Sequence, residues 1–142
     1  MRFFTCVDGY ITPDHCAKYI EYYEANKERS YCYGDTKPLT IQTDDVVERI
    51  ISDFGINNRL DNLEIVKRSA PSEMKNHYDD GDAVAFLLYL NENFTGGYTV
   101  FEDETEIVPK TGRLLVFSNG DFLHKVTKIQ SGDRYVMAGW FN

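Results

Sequence analysis

The chain has 142 residues, 42% of them hydrophobic, and a formal net charge of -8. That length suits one domain over residues 1–142 with a core that needs no disulfide or structural zinc, and ten Tyr and nine Phe argue against disorder and for close-packed strands. The acids lie in scattered groups such as Asp79-Asp80-Gly81-Asp82 and Glu102-Asp103-Glu104, so the clustered basic footprint of a nucleic-acid binder is missing.

The first residues hold no apolar run long enough for a secretion signal, and no later stretch could span a bilayer, so an unexported, cytoplasmic protein without a membrane partner is expected. Cys6, Cys16 and Cys32 are odd in number, at spacings that match no zinc or redox motif. They read as reduced thiols.

Thr12-Pro13-Asp14 supplies a cap, a first-turn proline and a favourable acid for a helix whose Cys16, Tyr19, Ile20 and Tyr23 recur at helical spacing. The segment 30–42, with Tyr31, Tyr33, Gly34 and Pro38, reads as a flexible lid or a plain connecting loop. A second helix is expected after Thr43, with Val46, Val47, Ile50, Ile51 and Phe54 as its buried stripe and Gly55 as its stop. From Leu63 onward the pattern changes to short β-branched and aromatic runs, read as strands over 63–68, 83–90, 98–101, 106–108, 113–117, 124–129 and 134–141. Their close spacing leaves no room for crossover helices. The fold class is therefore mainly β with N-terminal helices (α+β), its sheets antiparallel as in a sandwich or jelly roll, with both helices on the outside of one sheet.

His77-Tyr78-Asp79 sets an imidazole and a carboxylate two positions apart, which extended backbone turns to one face. With His124 they would form a two-histidine, one-carboxylate set, which covers one face of an octahedral metal such as iron(II) and leaves three positions open. Taken alone, the same residues also fit a surface pair and a satisfied core histidine. Arg134 opens a strand whose alternate residues are Arg134, Val136, Ala138 and Trp140. A guanidinium on that apolar face is costly without an anion, and a bound dicarboxylate would supply one; a solvated rim position after Gly132-Asp133 is the alternative. Ala83, Ala85, Leu87 and Tyr89 share another face, small at one end and phenolic at the other, where Tyr89 is either a donor to a carboxylate or an ordinary core tyrosine.

His77-Tyr78-Asp79, Leu88-Tyr89-Leu90-Asn91, Gly96-Gly97-Tyr98-Thr99-Val100-Phe101, Pro109-Lys110-Thr111-Gly112-Arg113-Leu114-Leu115-Val116-Phe117, His124 and the run 134–140 occur in order. Together they resemble the prolyl 4-hydroxylase branch of the 2-oxoglutarate/iron(II) dioxygenase superfamily, strongly over the C-terminal half and weakly over 3–23, where that family has a leading strand and helix. The resemblance implies a double-stranded β-helix with iron at one open end. It implies that His77, Asp79 and His124 are the metal ligands, that Arg134 pairs with the 5-carboxylate of 2-oxoglutarate with Tyr89 assisting, and that Val126 and Trp140 line the pocket. It also implies O2 as oxidant, ascorbate as an auxiliary, and hydroxylation of a C–H bond with release of succinate and CO2.

Two pocket positions depart from the family pattern: Arg68 stands where a tyrosine near the co-substrate is usual, and Met74 where an aromatic residue is common. Only Asp80-Gly81-Asp82 separates Asp79 from the next strand, a short loop for this family. Loops set substrate choice on such scaffolds, so the resemblance speaks to reaction class before substrate. The leading expectation is a monomeric hydroxylase of prolyl residues in a polypeptide partner. The alternatives are the same chemistry on a free amino acid or other small molecule, a non-catalytic jelly-roll module binding a metal or ligand, and a nucleic-acid demethylase, which the charge opposes.

Overall fold

Helix α1 (Pro13–Asn26) begins where the Thr12 hydroxyl accepts from the His15 amide at 3.2 Å, with Pro13 in the first turn. Helix α2 (Asp45–Asp53) is capped by Asp44, whose carboxylate accepts from the Val47 amide at 3.1 Å. The helix thus follows Thr43 as expected, with Asp44 as its cap and Val46, Val47 and Ile50 on the buried stripe. Gly55, at φ 58°, turns the chain out of the helix in the left-handed region. The computed structural model describes residues 3–77, 83–118 and 123–142, and for residues 76 and 77 the backbone alone.

In chain order the strands are β1 (Phe4–Val7), β2 (Thr36–Thr40), β3 (Leu60–Ser69), β4 (Ser72–His77), β5 (Val84–Tyr89), β6 (Thr99–Phe101), β7 (Glu106–Ile107), β8 (Leu114–Ser118), β9 (His124–Ile129) and β10 (Asp133–Phe141). They form a larger sheet in the order β1-β8-β5-β10-β3-β2 and a smaller one in the order β4-β9-β6-β7, all pairings antiparallel. This is the mainly β jelly roll that the sequence implies. Strand alternation divides the larger sheet. Ile65, Phe86, Leu88, Leu114, Val116 and Met137 face the helices and pack with Cys16, Tyr23, Val47 and Ile50, whereas Ala85, Tyr89, Leu115, Phe117 and Val136 form a second cluster on the other face. Both helices therefore cover one sheet from outside, and the inner face is left for the site.

One expectation is corrected. Part of the 30–42 segment is strand β2, paired with β3 from Thr36 opposite Arg68 to Thr40 opposite Glu64. Pro38 is tolerated because β2 is an edge strand: the Pro38 carbonyl accepts from the Tyr31 amide on the outer side, the side on which its own nitrogen lies, so no ladder bond is lost. Strand β3 also starts at Leu60, three residues before the expected boundary. Cys6, Cys16 and Cys32 are free. Among the described residues no helix is long and apolar enough to cross a membrane.

Candidate active site

The inner face of the larger sheet and strands β4, β6 and β9 of the smaller one enclose a cavity of about 790 Å³. Antiparallel register arranges its floor in rows. Arg134 of β10 lies opposite Arg68 of β3; two residues on, Val136 opposes both Tyr89 and Val66; then Ala138 opposes Leu87 and Glu64; then Trp140 opposes Ala85 and Asn62. The small side chains of Ala85 and Ala138 leave the space that the cavity occupies. Val126, Trp140, Arg68 and Met74 all line it, as does Arg134.

Arg134 is 5% exposed. Its Nε donates to the Gly97 carbonyl at 3.0 Å, a second nitrogen donates to the Thr99 hydroxyl at 3.4 Å, and the guanidinium lies 5.5 Å from the centre of the Tyr89 ring. Gly97 is required at that approach. It holds φ 71°, and a Cβ there would stand 3.1 Å from the Arg134 side chain. Tyr89 is fully buried and shares a 2.6 Å hydrogen bond with Thr99. Burial lowers the pKa of Arg134, opposed by Tyr89, and raises that of the Tyr89 phenol, opposed by the Arg134 charge and Thr99. Among the described residues no carboxylate pairs with Arg134.

Arg68, 3% exposed, donates to Asp35 at 3.1 Å and Ser72 at 3.0 Å, while its buried Nε has no hydrogen-bond partner among the described residues. Its pKa is pushed down to about 10, by burial first and then by the Arg134 charge, with Asp35 opposing. Glu64 lies on the same face of β3 two rows away. It accepts from the Tyr31 hydroxyl at 2.7 Å and from Asn62 at 3.4 Å. Burial raises the Glu64 carboxyl above the usual range, and burial with the Glu64 contact pushes Tyr31 up to about 12.

His124 is buried at the cavity wall, its ring edge-on to Phe117 at 5.3 Å and Phe101 at 6.2 Å between centroids. The β4–β9 ladder sets the backbone of His77 directly opposite His124. Asp79 lies outside the described residues; of the residues expected to hold a metal, the structure describes the His124 side chain at the cavity wall and the His77 backbone across the ladder from it. Glu64 and Asp35 were not singled out from sequence, and Gly97 and Thr99 only as members of the Gly96-Gly97-Tyr98-Thr99-Val100-Phe101 run, without a role. Glu64 had a legible signal: Glu64, Val66 and Arg68 share a face opposite Leu63 and Ile65 on a strand whose two faces are both covered.

The family model described as the 2OG-Fe(II) oxygenase superfamily matches residues 64–142, more than half of the chain. No curated protein sequence matches significantly. Among solved structures, a viral collagen prolyl hydroxylase from Paramecium bursaria Chlorella virus-1, in its 2OG complex, superposes with TM-score 0.77 at 17% identity, over 97% of this chain and 94% of that one. A prolyl-4-hydroxylase from Pseudomonas putida gives TM-score 0.74 at 19% identity, over 100% of this chain and 93% of that one. A prolyl hydroxylase from Trichoplax adhaerens, in complex with a hypoxia inducible factor oxygen degradation domain peptide, gives TM-score 0.74 at 17% identity, over 97% of this chain and 82% of that one. At these identities the likeness establishes the fold.

Proposed function

The chain belongs to the 2OG-Fe(II) oxygenase superfamily, and we propose that it hydroxylates prolyl residues in a peptide or protein, with His77, Asp79 and His124 holding the iron. The observation that carries this reading is Arg134: a guanidinium buried beside His124's cavity, with no carboxylate among the described residues, calls for a bound anion. A dicarboxylate fits, because the planar fork would pair with one carboxylate and leave the other for a metal held in the same cavity. Imidazole and carboxylate donors on a partly open site suit ferrous iron.

Iron(II) bound with 2-oxoglutarate supplies the oxidative decarboxylation that releases succinate and CO2 and passes one oxygen atom of O2 to a substrate C–H bond. The chain's own residues do the rest. Arg134 fixes the far carboxylate, assisted by Tyr89, whose ring lies 5.5 Å from the guanidinium and whose hydroxyl is tied to Thr99. Phe101 and Phe117 hold the His124 ring against rotation. Val126 and Trp140 flank the space in which the target ring would sit. The proline reading is supported by Tyr31 and Tyr33, which line the cavity and are 44% and 70% exposed. Aromatic rims receive proline segments well, since these are already extended and lose little freedom on binding. In this reading residues 1–142 form a single dioxygenase domain that acts as a cytoplasmic monomer, with ascorbate keeping the iron reduced.

The experiment is turnover with iron(II), ascorbate, 2-oxoglutarate and proline peptides against proline-to-alanine controls. Succinate release that requires the proline, with a one-oxygen mass gain on that residue, supports the assignment. Equal stimulation by the controls, or activity on small molecules only, removes the prolyl substrate.

A further inference from the structure

We infer that Glu64 receives a cationic group of the substrate, an ammonium or guanidinium on the residue next to the target proline. This rests on the prolyl-peptide reading above and names what that peptide must carry. Strand β3 presents Asn62, Glu64, Val66 and Arg68 to the cavity. Its basic end meets Arg134, where the co-substrate carboxylate belongs. Its acidic end lies about 13 Å along the strand, at roughly 3.3 Å per residue, opposite Ala138 and next to the row of Trp140. The two ends of one strand face thus divide the cavity by charge.

Glu64 is 5% exposed. One oxygen accepts from Tyr31 and Asn62, and the other has no hydrogen-bond partner among the described residues, none of which forms an ion pair with it. Other acids of the chain do find cations: Glu24 meets Lys67 at 3.1 Å, and Asp35 meets Arg68 at 3.1 Å. Arg68, the basic residue on the same strand face, is engaged by Asp35. Two neutral donors on one oxygen leave the Glu64 charge without a counter-cation, and the other oxygen, not fully buried, opens on the cavity that Glu64 lines. A cation entering beside Trp140 would meet it. The chain's net charge of -8 favours the approach of a basic peptide, whereas Asp61 at the same end already meets Arg59 at 3.7 Å.

The test uses the iron-loaded protein with 2-oxoglutarate and two peptides that differ only beside the proline, lysine in one and norleucine in the other. The native protein is expected to show a KM about tenfold lower for the lysine peptide, as one charge-assisted bond allows, and E64Q to erase that ratio. Equal KM values in the native protein overturn the inference without any variant, and so does a ratio that survives E64Q. If neither peptide is hydroxylated, the prolyl reading is what fails. The same pair titrated by calorimetry into manganese- and 2-oxoglutarate-loaded protein then still decides Glu64: tighter binding of the lysine peptide, lost in E64Q, supports it, and equal binding overturns it.

Discussion

Arg134 and Arg68 are direct partners across the β10–β3 ladder, both buried and both facing the cavity. Like charges set opposite each other repel, and Asp35, the anion that Arg68 meets, is half exposed. The basic end of the cavity is therefore short of negative charge.

Arg134→Ala is expected to abolish tight 2-oxoglutarate binding and leave manganese binding intact, because in the proposed site the arginine meets the far carboxylate and not the metal. Loss of one partner from a buried charge pair costs about 3–5 kcal/mol, so affinity should fall at least about a hundredfold. Calorimetric titration of each ligand checks this. Unchanged 2-oxoglutarate affinity would make Arg134 a purely structural residue.

Asp35→Asn removes the counter-charge of Arg68 and leaves two adjacent buried cations. Stability without co-substrate is expected to drop by about 1–3 kcal/mol, less than for a fully buried pair because Asp35 is half exposed. Urea denaturation reads the loss. Adding 2-oxoglutarate should narrow the gap, since the ligand brings in the missing anion; a midpoint equal to the native one would contradict the charge shortage.

Glu64 titrates above the usual carboxylate range in the folded protein because it is buried. The folded state thus holds this proton more tightly than the unfolded chain does. The group's stabilising contribution is full below the unfolded pKa and is lost as pH rises through the folded one. Glu64→Gln, which keeps an acceptor for Tyr31, is therefore expected to be more stable than the native protein at pH 8 without substrate, with the difference shrinking toward pH 4. Denaturation midpoints across that range test it, and a difference that grows on acidification would reverse the sign.

The legible parts of the fold were those fixed by local chemistry. Thr12-Pro13-Asp14 set the start of α1, and the parity of Arg134, Val136, Ala138 and Trp140 set one cavity wall, because alternation in a strand needs no knowledge of its neighbours. The edge strand β2 was hidden, since Pro38 argues against a strand until the outer position of its nitrogen is known. Strand β4 was hidden for a different reason: burial alternates from Ser72 to Lys75, but the inward positions there are Ser72 and Met74, and the strand has no β-branched residue to mark it. The pairing of Arg68 with Arg134 depends on which strands adjoin, and strand order is a long-range property that no local pattern carries.

Gly139→Ala should lower stability by about 1–3 kcal/mol through overpacking. A Cβ at that position would stand 2.2 Å from the ring of Phe86, which is fully buried and packed against Phe141. The urea midpoint reports the loss, and an unchanged midpoint would mean that the Phe86 ring can move aside.

The most direct measurement is the consumption of 2-oxoglutarate by the native protein with iron(II) and O2, compared with His124→Ala and Arg134→Ala. Succinate is expected from the native protein, in proportion to hydroxyproline when a proline peptide is present, and none above background from either variant. Succinate formation that persists in both variants, or none from the iron-loaded native protein under any peptide, would contradict the assignment of the site.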